Sequence, residues 1–438
     1  MDAMMELSVY AVACSYTQPA KASNPGQKKF VQFSDSLLSL GELMAKKIAR
    51  TFIGEIKSFP AWLWVLIALT VFGLGVGVYR LAVGLGTTTN LNHGYPWGLW
   101  IGFDLFVVAF SGGAFTLATL VYVFQMHEFH AATRPTVLTG LLGYVSVLLI
   151  LVMDLGRWDR FYHFMIFPNI NSALFEVSWC IMLYTTVLIS EFSPVFFQRL
   201  GWQRVLGIIK KITVPLVIIG TTLSTLHQSS LGSLFIVMSE RLHPLWYTPL
   251  IPFFFFVSSV AAGLAMIIGG ATISYWVFKR SLPQKVVGSF GWFLPWVLGF
   301  YAIVKLGELL IVEEIGLLLA ANIYSALFWS ELLIGCAIQI VMFMSKTVRH
   351  NRVWTLVGAM FVLFGIFLNR FDAAWFALKP VPGFEYTPHW MEIAIQFGVL
   401  SAMAVVYTLI GRYFPLFEET MQNGDEEKSR VVASAPAE

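Results

Sequence analysis

Seven ionisable side chains stand inside otherwise apolar stretches of this 438-residue chain: Asp104, Glu176, Glu191, Lys305, Glu308, Glu331 and Glu392. A charge in hydrocarbon costs about 2.5–3.5 kcal/mol on insertion scales, so each is a candidate for proton or ion chemistry. Lys305 and Glu308 share a helical face at i,i+3 and can pair; a structural ion pair is as good a reading there as a proton path. Glu176 and Glu331 have no basic residue at helical spacing, and a helix–helix hydrogen bond is their plainer alternative. Glu191 and Glu392 lie near segment ends, within reach of headgroups. Asp104, Glu176 and Glu308 come out in one half of the membrane, which points to one shared polar pocket with a proton-linked task. A second concentration of polar groups, "TLSTLHQSSLGSLFIVMSERLHPLW" (222–246), holds His227, Gln228, Glu240, Arg241 and His243, more than a turn requires.

Other chemistries fit poorly. The cysteines are Cys14, Cys180 and Cys336, without a CxxC pair, whereas an iron–sulfur cluster takes four thiolates. A haem b between membrane helices takes two histidines at matching depth, and only His227 of the eight falls in an apolar segment, at its end. No HExxH or comparable spacing suggests a metal. A net charge of +3, thinly spread, argues against nucleic-acid binding. No haem, cluster or metal is therefore expected in this chain.

The positioning elements must be membrane helices. The chain is 57% hydrophobic and 12% charged, about half the charge of a soluble domain. A hydrocarbon core about 30 Å thick needs roughly 20 apolar residues in helix. Ten candidate spans follow: 60–83, 99–123, 136–153, 175–197, 208–227, 250–277, 290–312, 321–344, 353–369 and 390–411. The third and ninth are short, to be tilted or lengthened into the interface. Residues 1–59 lack a secretory signal. From Ser34 to Phe59, apolar residues at helical spacing interleave with Lys46, Lys47, Arg50 and Lys57, the pattern of an interfacial amphipathic helix. A membrane domain, 60–415, and a polar tail, 416–438, complete the organisation.

Lys and Arg set the orientation. With the N-terminus in the cytoplasm, only Arg80, Arg157, Arg160, Arg241, Arg370 and Lys379 fall outside, and Lys305 lies within a span; the other 21 of 28 are cytoplasmic. Both termini are then cytoplasmic, and five loops, 84–98, 154–174, 228–249, 313–320 and 370–389, face outward. Acidic groups near one face without a redox centre suit two classes of protein: a quinone-reacting subunit fed with electrons by a partner, or a proton- or ion-coupled transporter.

Several stretches resemble a known family: "LNHGYPWGLWIGFDL" (91–105), "DLGRW" (154–158), "NINSALFE" (169–176), "EFSPVFFQRLGW" (191–202), "LHQSSLGSL" (226–234), "HPLW" (243–246), "KLGEL" (305–309) and "FWSELL" (328–333). They are similar, in order and spacing from about residue 60 to 415, to the polysulfide-reductase/NrfD membrane subunits, above all to the HybB-type subunit of respiratory nickel–iron hydrogenases. The resemblance implies an all-α integral membrane protein in the bacterial or archaeal cytoplasmic membrane. It further implies two four-helix bundles, spans two to five and six to nine, with one flanking helix at each end. A periplasmic ferredoxin-like iron–sulfur subunit, with the hydrogenase large and small subunits behind it, would deliver electrons to menaquinone or ubiquinone near the outer face. Related subunits serve sulfur-compound, formate or cytochrome-linked enzymes. Carried over by position, Glu176 is the proton-transfer candidate, with Asp104, Lys305, Glu308 and Glu331 as further proton groups. Asp154, Arg157, His227 and Gln228 belong to the quinone region, and Trp158, Tyr162 and His163 would add ring contacts and a donor. In this reading "LHQSS" ends span five at the pocket mouth, and Glu240, Arg241 and His243 form a docking surface or loop scaffold.

Overall fold

A computed structural model describes residues 59–279 and 282–417. Two compact units divide the chain, Met1–Trp64 and Val65–Glu438; of the first, only the start of the first helix is described. The expected amphipathic helix and most of the polar tail lie outside the described residues.

Ten helices long and apolar enough to cross a membrane are present among them: α1 Ala61–Val83, α2 Leu99–Val123, α3 His127–Asp154, α4 Ala173–Leu200, α5 Gln203–Ile236, α6 Ile251–Phe278, α7 Gln284–Ile311, α8 Ile323–Met344, α9 Arg352–Phe376 and α10 Trp390–Tyr413. Helix is the natural solution because hydrocarbon offers no partner for a free backbone N–H or C=O. Polar caps fix several starts. Ser172, Asn322 and Asn351 accept backbone N–H groups of α4, α8 and α9, and His389 with Glu392 makes a reciprocal cap on α10. Gly201, in the left-handed region at φ 73°, closes α4.

Helices α2–α5 form one bundle and α6–α9 the other, with α6 the most enclosed. α10 packs on α2 and α3 beside the first bundle. Where α2 meets α6 the backbones nearly touch: a Cβ on Gly263 would stand 2.6 Å from the Gly113 nitrogen. Where α1 meets α10, a Cβ on Gly398 would stand 2.5 Å from the Gly73 Cα. Only glycine permits such approaches, which bring two helices into dispersion contact along their length.

The two short spans are lengthened, to 28 and 25 residues. α3 begins with a 3₁₀ turn, His127–Ala132, and α9 ends in a π turn, Asp372–Phe376. Span five differs from expectation: α5 continues to Ile236, so "LHQSS" is inside the helix and the following loop is 237–250. Serine hydroxyls reconcile this polar run with helix by bonding back to it: Ser230 Oγ donates to the His227 carbonyl (3.1 Å) and Ser233 Oγ to that of Ser229 (3.3 Å).

Three of the loops at one end are knotted together, and we call this end the loop face. The Arg241 guanidinium donates to the carbonyls of Lys379 (2.8 Å) and Gly94 (2.6 Å). Glu392 accepts from the Asn90 N–H (2.9 Å) and the Tyr386 hydroxyl (2.6 Å). His243 stacks on Tyr324 at 4.3 Å and its Nδ1 accepts from the Leu245 N–H (3.3 Å). Arg241 and His243 are thus scaffold, as one of the two expectations had it, while Glu240 is exposed. Glu392 is wholly buried and does not reach a headgroup.

Two outcomes are expected. Gly263→Val should abolish a monodisperse peak on detergent size-exclusion chromatography, whereas Gly299→Ala, at a helical site with nothing within 4 Å, should be neutral or raise stability by about 0.5–1 kcal/mol. Burial, aided by Lys379, pushes His243 below its ordinary 6.5, so the folded loop favours the neutral ring. The stability this confers is complete above pH 6.5 and is lost as pH falls through the depressed folded value. The fall in Tm from about pH 7.5 to about pH 5.5, a range that spans the ordinary histidine value, should be smaller in His243→Gln than in the unaltered protein.

Candidate functional site

Between α2, α3, α4 and α5, towards the loop face, lies a cavity of about 80 Å³, or about 520 Å³ with its open mouth counted. Ile101, Leu105 and Val108 of α2 face Val147 and Leu151 of α3; Leu174, Val177 and Ile181 of α4 and Leu231, Leu234 and Phe235 of α5 complete the walls. Trp97, set edge-on to Phe235 at 5.6 Å, comes in from the 84–98 loop. The spacing on each helix is three or four residues, which is why four apolar spans present continuous walls. One carboxyl interrupts this lining: Asp104, whose Oδ2 is buried without a hydrogen-bond partner.

The polar part of α5 lies deeper. Gln228 Nε2 donates to the Val108 carbonyl of α2 (2.9 Å), while its Oε1 has no partner. His227 is fully buried and neither ring nitrogen is bonded. Its ring lies 5.7 Å from that of Tyr144, which in turn meets Tyr184 at 4.8 Å. Tyr184 and Glu191 both face Gly220. Imidazole, phenols and a second acid thus follow one another through the first bundle, on the side of the cavity away from the loop face. An unsatisfied buried polar group costs about 1–3 kcal/mol, and several together mark a place where a ligand or mobile proton completes the bonding.

The second bundle holds a different cluster. Glu331 accepts from Tyr301 Oη (3.0 Å), Trp246 Nε1 (3.2 Å) and Asn369 Nδ2 (2.9 Å). Arg370 donates to Asn369 Oδ1, to Ser258 Oγ (2.8 Å) and to the Phe255 carbonyl (3.1 Å), over whose ring it lies at 3.7 Å. Asp372 is fully buried with both oxygens unpartnered. A π turn, Leu333–Ala337, begins two residues after Glu331.

The expected single pocket is therefore two. Asp104 lines the first-bundle cavity; Lys305, Glu308 and Glu331 belong to the second bundle, because α7 and α8 pack on α6 and α9 rather than on α2. Glu176 is exposed in the first turn of α4. Lys305 does not pair with Glu308: among the described residues it makes no ion pair, and its ammonium lies over Phe254 (4.8 Å) and Phe328 (5.7 Å). Glu331 does make helix–helix hydrogen bonds, the plainer of its two readings. Asp154 is half-buried at the end of α3 near Arg80, which donates to the Leu155 carbonyl (2.7 Å). Arg157 is exposed and grips Asp159 with two bonds of 3.0 Å, a pairing that raises the guanidinium and lowers the carboxyl from their ordinary values. Trp158 donates to the Leu81 carbonyl (3.0 Å), and Tyr162 and His163 stay on the loop surface. None of these four lines the cavity. Missed altogether as site residues were Trp97, Tyr144 and Tyr184, which carried no charge to draw notice, Arg80 and Arg370, which were counted only as outward-facing cations, and Asp372, which fell in the expected 370–389 loop.

Glu331→Leu strands three donors and should lower stability by about 1–3 kcal/mol for each one left unbonded, with Glu331→Gln milder; thermal unfolding in detergent measures both.

Residues 87–373 match the family described as polysulphide reductase, NrfD. A protein of Nitratidesulfovibrio vulgaris is 34% identical over 363 residues, covering 80% of this chain and 93% of its own length. The probable Ni/Fe-hydrogenase 2 b-type cytochrome subunit of Escherichia coli is 32% identical over 79% of this chain and 90% of its own. The integral membrane subunit of menaquinone reductase from N. vulgaris is 29% identical over 82% and 92%. A two-histidine haem site does not fit this chain: His227 is the one histidine in a helix interior, among tyrosines, and the other seven lie in loops or at helix ends. By the span of the match and the identity to these relatives, the chain belongs to the polysulphide reductase NrfD family.

Proposed function

We propose that this chain is the quinone-reactive membrane subunit of a respiratory oxidoreductase, with a nickel–iron hydrogenase as its catalytic module. A ferredoxin-like iron–sulfur subunit docks on the loop face, on the periplasmic side of the cytoplasmic membrane, and both termini are cytoplasmic. The Asp104 cavity carries this reading: an apolar slot with one unpartnered carboxyl oxygen suits a flat lipophilic ring with a carbonyl at its rim. The same lining disfavours the hydrophilic solute of a transporter. The names of the relatives from E. coli and N. vulgaris, a hydrogenase subunit and a menaquinone reductase subunit, support it.

A menaquinone or ubiquinone supplies carbonyl oxygens that gain protons as the ring gains electrons. Asp104 offers one carbonyl a hydrogen-bond donor when protonated and a base when not. Trp97 and Phe235 shield the ring from water, which strengthens that bond. His227, Tyr144, Tyr184 and Glu191 form the relay by which Asp104 recovers its proton. Glu176, near the mouth, exchanges protons with the surface, while Lys305, Glu308 and Glu331 serve a separate path in the second bundle. At about 80 Å³ the slot is smaller than the roughly 300 Å³ of the smallest ligand pockets, so the walls part at the open mouth to admit a ring.

Asp104→Asn should assemble with its partner subunits yet lose about 100-fold in quinone-linked turnover, the lower end of the range for a proton-transfer group. Unchanged turnover in the assembled variant would sink the assignment. Glu176→Gln should slow turnover less, and His227→Ala should weaken quinone binding more than partner retention.

A further inference from the structure

The cavity has a mouth, and the surface beside it is unusual. Between α3 and α4 the chain makes a 3₁₀ turn, Trp158–Arg160, and one turn of α-helix, His163–Ile166. Its charges gather at one end, where Asp159 takes both Arg157 (3.0 Å) and Arg160 (4.0 Å). The rest is an exposed apolar ridge of Phe161, Met165, Ile166, Phe167 (68% exposed) and Ile170 (84%). His163 anchors the ridge from within by ring contacts to Tyr162 (5.1 Å) and Phe167 (5.4 Å).

Two observations say what covers this ridge. It is continuous with the lipid-facing surface of the adjoining spans, through exposed Leu155 of the loop and exposed Leu174 and Leu183 of α4. It is also continuous with the cavity. Leu174 is 60% exposed and yet lines the wall, with Val177 and Ile181 following on the same helical face towards the level of Asp104. The charged end is already paired within itself, which leaves no charge on the ridge to complement a protein surface. Aromatic and branched apolar side chains with Trp and Tyr at one edge are the composition of segments that lie in a headgroup boundary.

We propose that residues 161–170 lie in the bilayer leaflet at the loop face and, with Leu174 at the rim, form the portal through which the isoprenoid chain of a quinone passes into the Asp104 cavity. This rests on the quinone reading above. The ring sits inside against Asp104, and the chain trails out along Ile181, Val177 and Leu174 to the ridge. A prenyl chain cannot cross water, so the route into the cavity must open from lipid. The ridge is where lipid meets the mouth.

The test uses the whole complex in liposomes of phosphatidylcholine. Phe167→Glu with Ile170→Glu, and separately Phe167→Glu alone, are assayed with a long-chain menaquinone in the bilayer and with menadione, which has the ring and no chain. The expected result is a KM for the long-chain substrate raised at least about tenfold, equivalent to about 1.4 kcal/mol, with menadione turnover within about twofold of the unaltered complex. A fluorophore on Ile170→Cys should be quenched by nitroxide-labelled phosphatidylcholine. Equal effects on both substrates, no effect on either, or an unquenched label overturn the portal while the quinone reading stands. Loss of the iron–sulfur subunit from the Glu variants would instead assign the ridge to protein docking and overturn the portal. An unaltered complex that turns over neither substrate overturns the quinone reading, and the portal with it.

Discussion

In hydrocarbon a polar atom has only the protein to bond with, and this condition shapes the molecule from backbone to site. Ten helices satisfy their own backbones, and where a helix departs from regularity a side chain takes up what is released. In the π turn after Glu331, Gln339 Nε2 donates to the Ile334 carbonyl (3.0 Å), and Cys336 turns its thiol to the Leu298 carbonyl (3.2 Å). At Thr119, where α2 loosens into another π turn, the hydroxyl bonds the Phe115 carbonyl (2.7 Å) and meets Thr221 of α5 (3.0 Å). Irregularity is found where side chains can compensate it.

The two bundles answer the same condition differently. Around Glu331 and Arg370 nearly every donor and acceptor is used, with Asp372 the exception, and the residual cavity there is only about 20 Å³. Around Asp104, His227 and Gln228 the bonding is left incomplete beside a larger space, about 80 Å³. A saturated network fixes geometry and holds charge in balance. An unsaturated one is poised for something that comes and goes. The contrast would not follow from composition, since both bundles carry buried ionisable groups.

Much of the fold was legible in the sequence because the membrane imposes a length and a polarity that twenty apolar residues announce. The ten spans were found to within a few residues at most ends. The errors share one cause: polar residues were read as water-facing. "LHQSS" was taken for a helix end, although small hydroxyls bond back to the helix and leave it buried. Arg80 and Arg370 were counted among the outward-facing cations, yet both are wholly enclosed by neighbouring spans. Local spacing suggested that Lys305 meets Glu308, whereas rings from α6 and α8 received it. Asp104 and His227 were named from sequence, but that they belong with Tyr144 and Tyr184, and apart from Glu331, is a matter of which helices pack together. That information lies between residues a hundred positions apart and has no local signature.

The touch of Gly73 on Gly398 joins the first to the last of the spanning helices among the described residues. During synthesis α1 reaches the bilayer with its glycine notch facing lipid, and its partner surface does not exist until more than three hundred further residues have followed. α10 also carries the carboxylate that ties the 84–98 loop in place. The first loop beside the cavity therefore cannot settle until the final helix has been inserted. A chain halted within α10 would leave α1 and the 84–98 loop unclasped although the other described spans had all been made.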